Sequence, residues 1–102
     1  MNKHKILLVD DEADILNLLQ KALELDGFEN IHQAKSGLTA IKACKDFSPD
    51  TIVLDVMLPD IDGYEVCKQV RQFSHCPILF YLFLCSLCYL VIPHSIKDYK
   101  RN

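Results

Sequence analysis

Two short aliphatic runs, each stopped by aspartate, leave this chain few folds to choose from. Residues 5–9 end as Ile6-Leu7-Leu8-Val9 and meet Asp10-Asp11-Glu12, and Thr51-Ile52-Val53-Leu54 meets Asp55. A strand with one wet face alternates apolar and polar side chains, whereas a strand apolar throughout is covered on both faces. Helical patterns fill the spaces between. Ile15, Leu18, Leu19, Ala22 and Leu23 fall at i, i+3, i+4, i+7 and i+8, an amphipathic stripe that Gly27 is placed to end. Asp11 is expected to cap this helix, with Glu12 and Asp14 in its first turn. Residues 30–34 form a weak second strand. Ser36 is the candidate N-cap of a helix over about 37–46, with Ala40, Ile41 and Cys44 on its inner face. Pro49-Asp50 breaks that helix before the third strand. Pro59-Asp60-Ile61-Asp62-Gly63 has turn chemistry, and a third helix to about Gln72 is expected to bury Val66, Cys67 and Val70. Pro77 opens a fourth apolar segment.

Strand and helix thus alternate three times, with connections long enough for parallel pairing. The expected class is an open, doubly wound α/β sheet in a single domain, which 102 residues suffice to build. A net charge of −3 offers no broad basic surface, so direct nucleic-acid binding is not expected. The N-terminus lacks the long apolar region and cleavage site of a signal peptide, which points to the cytoplasm. Five cysteines, an odd number without framework spacing, argue against a disulfide scaffold. Cys44 and Cys67 read as small buried hydrophobes, and Cys85-x-x-Cys88, set among Leu, Phe and Tyr, lacks the second pair a zinc site needs.

The carboxylates stand where an open parallel sheet binds ligands. Asp10 and Asp11 follow the first strand and Asp55 follows the third. In flavodoxin-like order, 2-1-3-4-5, those strands are neighbours, and their carboxyl ends line the crevice at the switch point. Alone, Asp11 reads as a helix cap and Asp55 as the start of a turn. Together the three carboxylates converge within a few ångströms, and like charges so close call for a cation. Hard oxygen ligands with room for water suit Mg²⁺. Asp55, facing an ion held by Asp10 and Asp11, is then the candidate nucleophile toward phosphorus.

At these residues the chain resembles the receiver domain of two-component response regulators. Ile6-Leu7-Leu8-Val9-Asp10-Asp11-Glu12 resembles the family's first strand and acidic pair. Asp50-Thr51-Ile52-Val53-Leu54-Asp55-Val56-Met57-Leu58-Pro59-Asp60-Ile61-Asp62-Gly63 resembles its phosphoacceptor strand and loop. The resemblance covers residues 5–80 and implies that 1–80 is most of a receiver domain. It implies that Asp55 takes a phosphoryl group from a sensor histidine kinase or phosphotransfer protein. Asp10, Asp11, Asp55 and the Met57 backbone carbonyl would hold Mg²⁺, and Pro59 and Gly63 would shape the loop. Such a domain phosphorylates itself and is not a turnover enzyme.

Residues 81–102 depart from the pattern. The family carries Ser or Thr at the end of its fourth strand and Lys at the end of its fifth. Leu82 stands at the first position, and if Tyr89-Leu90-Val91-Ile92-Pro93 is a remnant of the fifth strand, Tyr89 is its switch aromatic and Ile92 replaces the lysine. The other account makes everything after about Phe80 foreign to the family, as a frameshift or premature end would produce. Either way the expected sheet is 2-1-3-4, incomplete at the C-terminus, with impaired switching. Composition shifts at the same place. Residues 1–77 hold thirteen acidic and eight basic residues, while 72–96 hold no Asp, Glu, Lys or Arg. Residues 78–92 would make a helix about 22 Å long, short of the roughly 30 Å hydrocarbon core, so self-association is expected there before membrane insertion. A non-phosphorylated module that pairs through this apolar segment, or a truncated non-functional product, are the competing readings.

Overall fold

The apolar runs pair as parallel strands because nothing along them can face water. The computed structural model of the chain describes residues 2–81. It contains β1 (Asn2–Val9), α1 (Ala13–Leu25), β2 (Phe28–Ala34), α2 (Gly37–Phe47), β3 (Thr51–Asp55), α3 (Gly63–Val70) and β4 (Ile78–Tyr81). The sheet is parallel in the order β2-β1-β3-β4, as the pattern implied. Of the apolar segment 78–92, Ile78–Tyr81 form β4, and the rest of it, with Leu82, Tyr89, Ile92 and the expected remnant of a fifth strand, lies outside the described residues.

Side-chain alternation divides the core into two layers. Leu7 and Val9 of β1, Ile52 and Leu54 of β3 and Ile78 of β4 pack with Ala40, Ile41 and Cys44 of α2 and Val66 and Val70 of α3. Ile6, Leu8, Val53, Leu79 and Tyr81 point to the opposite face and pack with Ile15 and Leu16 of α1. Each apolar strand therefore supplies both layers, which is why it reads without alternation. Burial raises the Cys44 thiol to about 12, with nearby Cys76 adding to the effect, so this cysteine serves as core.

Several local expectations change. Glu12, not Asp11, is the N-cap of α1, and it makes no side-chain capping bond. Its own N–H is taken by Asp10 Oδ1 at 2.9 Å, so the aspartate at the strand end organises the turn. Leu18 is 58% exposed and Ala22 is also exposed, while Leu16 is fully buried. The stripe facing the sheet is Ile15, Leu16, Leu19 and Leu23. The two stripes share three residues, and only the direction of the sheet selects between them. Cys67 is half-buried, α3 stops at Val70, and Asp55 is the last residue of β3 rather than the first beyond it. β2 begins at Phe28, two residues before the expected start at Asn30, and as an edge strand it carries exposed Glu29, Asn30, His32 and Gln33, which weaken its pattern.

Turns and caps follow their residue chemistry. Gly27, at φ +100°, closes α1 in a conformation that a side chain would strain. Ser36 and Thr39 form a reciprocal capping box on α2. The start of β1 is tied to the α2–β3 connection. Lys5 N–H donates to Asp50 Oδ2 at 2.8 Å, Asp50 N–H donates to the Lys5 carbonyl at 2.7 Å, and Lys5 Nζ donates to the Phe47 carbonyl at 2.9 Å.

Gly63 is where the fold admits no side chain. Its N–H donates to the Val56 carbonyl at 2.8 Å, drawing the start of α3 onto the end of β3. A Cβ there would stand 2.7 Å from the Asp55 carbonyl oxygen and 3.0 Å from Val56 Cα, both backbone atoms. Gly63→Ala is therefore expected to lower stability by about 1–3 kcal/mol in urea unfolding, the range for forced overpacking. An unchanged urea midpoint would refute this close approach.

Candidate functional site

Strand parity assembles the site. Leu8 pairs with Val53 and Val9 with Leu54, so the next residues, Asp10 and Asp55, emerge side by side on the α1-facing side of the pleat. Asp11, one residue on, is exposed at the rim. One ligand oxygen from each of Asp10, Asp11 and Asp55 lies within 4.8 Å of the others. Asp10 is 1% exposed and Asp55 is 8% exposed, so two of the three charges are desolvated.

Backbone groups hold these carboxylates in place. The Asp10 N–H donates to the Ala34 carbonyl at 3.1 Å, continuing the β1–β2 ladder past the end of β1. Asp55 Oδ1 accepts the Met57 N–H at 3.0 Å, a turn that carries the chain from β3 into its loop. Burial, and after it the charges of Asp10 and Asp11, push the Asp55 carboxyl up to about 6 against the opposing effect of the Met57 N–H. A cation among the three oxygens would reverse that direction. The donor set, all hard carboxylate oxygen with one member open to water, fits Mg²⁺.

The β3–α3 loop is anchored at both sides. Asp62 is the N-cap of α3 and accepts the Glu65 N–H at 2.8 Å. Asp60 reaches to another helix, its Oδ1 and Oδ2 accepting the Gly37 and Leu38 N–H groups of α2 at 2.8 and 2.9 Å. Those two bonds hold the Asp60 carboxyl down at about 2. Pro59 is exposed between these anchors, and the Met57 side chain is 60% exposed beside the acidic cluster's loop.

Two residues of the site were not singled out from sequence. Asp60 looked like turn chemistry, and its partners are 22 and 23 residues away in the chain. Tyr81 falls, by sequence, in the segment 81–102 that departs from the family pattern, whereas the structure makes it the last residue of β4. Its hydroxyl donates to Asp10 Oδ2 at 2.6 Å, and its side chain is buried. The available signal was parity: Tyr81 pairs with Asp55 as Leu79 pairs with Val53, so it shares the acidic side of the pleat.

Known proteins resemble this chain in sequence and in fold. A family model for the response regulator receiver domain matches residues 6–82. The chain is 57% identical over 72 residues to the alkaline phosphatase synthesis transcriptional regulatory protein PhoP of Bacillus subtilis, covering 71% of this chain and 29% of that protein. It is 42% identical to the probable transcriptional regulator ycf27 of Pyropia yezoensis, covering 98% of this chain and 46% of the relative. The chain thus spans less than half the length of these curated relatives. Among solved structures, the Vibrio cholerae chemotaxis protein CheY4 is 30% identical with a TM-score of 0.71, over 78% of this chain and 68% of that one. A putative response regulator from Chloroflexus aurantiacus is 37% identical with a TM-score of 0.70, over 78% and 66%. With the family model spanning residues 6–82 and the parallel sheet order in agreement, the chain belongs to the response regulator receiver domain family.

Proposed function

We propose that this chain is a phosphoacceptor of a two-component phosphorelay, with Asp55 receiving the phosphoryl group of a sensor histidine kinase or phosphotransfer protein. The observation that carries this reading is the meeting of Asp10, Asp11 and Asp55 within 4.8 Å at the carboxyl edge of the sheet. An Asp55 oxygen attacks phosphorus as the bond from phosphorus to the donor's imidazole nitrogen breaks, and the bonding pair leaves with that nitrogen. The product is an acyl phosphate on Asp55. Asp10, Asp11, Asp55 and the Met57 carbonyl would hold Mg²⁺, which when bound screens the charge of the phosphoryl oxygens. The Met57 N–H orients the Asp55 carboxylate, and Gly63 and Pro59 shape the loop that brings Met57 to the edge.

The role is that of a self-phosphorylating signalling domain in the cytoplasm, over residues 1–80, with residues 81–102 as an atypical segment. Leu82, where the family has a hydroxyl, supports impaired switching after phosphorylation, as does Ile92 in place of the lysine where residues 89–93 are a remnant of the fifth strand. No helix among the described residues is long and apolar enough to cross a membrane. The net charge of −3 favours a protein partner over direct contact with nucleic acid.

Acetyl phosphate with Mg²⁺ is expected to add one phosphoryl group to the folded chain, seen as a single mass increment. Asp55→Asn or removal of divalent cations with EDTA should abolish the increment. Folded wild-type protein that stays unmodified would sink the proposal.

The acidic edge also sets a pH dependence. Without divalent cations, the Asp55 carboxyl carbon is expected to titrate with a midpoint near 6 against an ordinary 3.8, and Mg²⁺ should move the midpoint down. Because the folded value is raised, the native state holds this proton more tightly than the unfolded chain does. Its stabilising contribution is complete below 3.8 and is lost as pH rises through about 6. Urea unfolding of cation-free protein should show this loss between pH 4 and 6.5 as a difference in slope between wild type and Asp55→Asn. Parallel profiles for the two proteins would count against it.

A further inference from the structure

The hydroxyl of Tyr81 has no assigned part in the proposed chemistry, although it donates to Asp10 Oδ2 of the acidic edge at 2.6 Å. We infer that Tyr81 is a positioning residue for divalent-cation binding, locking the Asp10 carboxylate from β4 through its hydroxyl. The inference rests on the proposed reading of the acidic edge as a Mg²⁺ site.

The geometry is built rather than incidental. β4 and β1 are separated by β3, so their backbones stand about two strand spacings, or 10 Å, apart. The Tyr81 side chain crosses that gap on the α1-facing side of the pleat, passing the strand that carries Asp55. An aliphatic residue of strand length could not reach. At the far end its hydroxyl lies 2.6 Å from Asp10 Oδ2 and 3.5 Å from the Val9 carbonyl oxygen. Tyr81 and Asp10 are each 1% exposed, so no water competes freely for this bond.

Asp10 is consequently held at both oxygens, Oδ1 by the Glu12 N–H at 2.9 Å and Oδ2 by Tyr81. The carboxylate plane is fixed. Each carboxylate oxygen can accept twice, so neither of these two bonds by itself exhausts its oxygen. The hydroxyl also supplies a donor among three mutually repelling carboxylates, which keeps Asp10 oriented toward the site before the cation arrives. Hydrogen bonds to a ligating carboxylate commonly alter metal affinity 10- to 100-fold. Here the lower end applies, since the Glu12 N–H survives loss of the hydroxyl.

The test is calorimetric titration of the full 102-residue chain with magnesium chloride, without any phosphoryl donor. Tyr81→Phe, which keeps the ring, is expected to weaken Mg²⁺ binding about tenfold. Tyr64→Phe, which removes an exposed hydroxyl elsewhere, should leave affinity unchanged. Equal or tighter binding by Tyr81→Phe overturns the inference while leaving the metal site intact. Absence of Mg²⁺ binding by wild type overturns the metal site itself. A second reading uses wild type alone, so it stands even where Tyr81→Phe does not fold. The Tyr81 Cζ resonance should move on Mg²⁺ addition and saturate with the calorimetric Kd, and a resonance indifferent to saturating Mg²⁺ overturns the inference.

Discussion

The pairing of β1 with β3 underlies everything at the acidic edge. Leu7, Leu8, Val9, Ile52 and Leu54 are all fully buried in that pairing, and each large aliphatic side chain removed from water contributes about 1.5–3 kcal/mol. The register they enforce leaves Asp10 and Asp55 adjacent whether or not their charges favour it. Hydrophobic burial along the strands therefore offsets electrostatic repulsion at their ends. The raised Asp55 carboxyl is the local sign of that opposition. A site kept assembled in this way has little to rearrange when a cation arrives, because the strands have already brought its ligands together.

Much of this was readable from residue pattern alone. The continuous apolar runs implied two covered faces, and the core clusters show one layer on each side of the sheet. The three carboxylates were recognisable from their positions at the ends of two such runs. What escaped notice depended on direction in space. Leu16 and Leu18 are equally apolar and two residues apart, yet only Leu16 points at the sheet. β2 was foreshortened because an edge strand with polar outward residues carries a weak pattern. Asp60 reads as turn chemistry because a side chain that caps a distant helix looks, in sequence, like any aspartate in a loop.

Tyr81 illustrates a further limit. Receiver domains carry a hydroxyl at the end of the fourth strand, and its expected position here, Leu82, has none. One residue earlier, Tyr81 lies on the acidic side of the pleat, paired with Asp55. A hydroxyl does stand at this edge, then, but it meets Asp10. Residue type and approximate position were both visible in the sequence. The partner was not, since it depends on the length of a tyrosine and on the spacing of three strands.

The bridge made by Asp60 has a consequence for how the molecule opens. The Gly37 and Leu38 amides belong to the first turn of α2, where no intrahelical acceptor exists for them. Their protection from solvent exchange is lent by a carboxylate on the loop after β3. These two amides therefore monitor the loop rather than their own helix, and fraying of α2 and release of the loop become a single cooperative event. A displacement of Asp60 would reach α2 through this pair of hydrogen bonds rather than through the core.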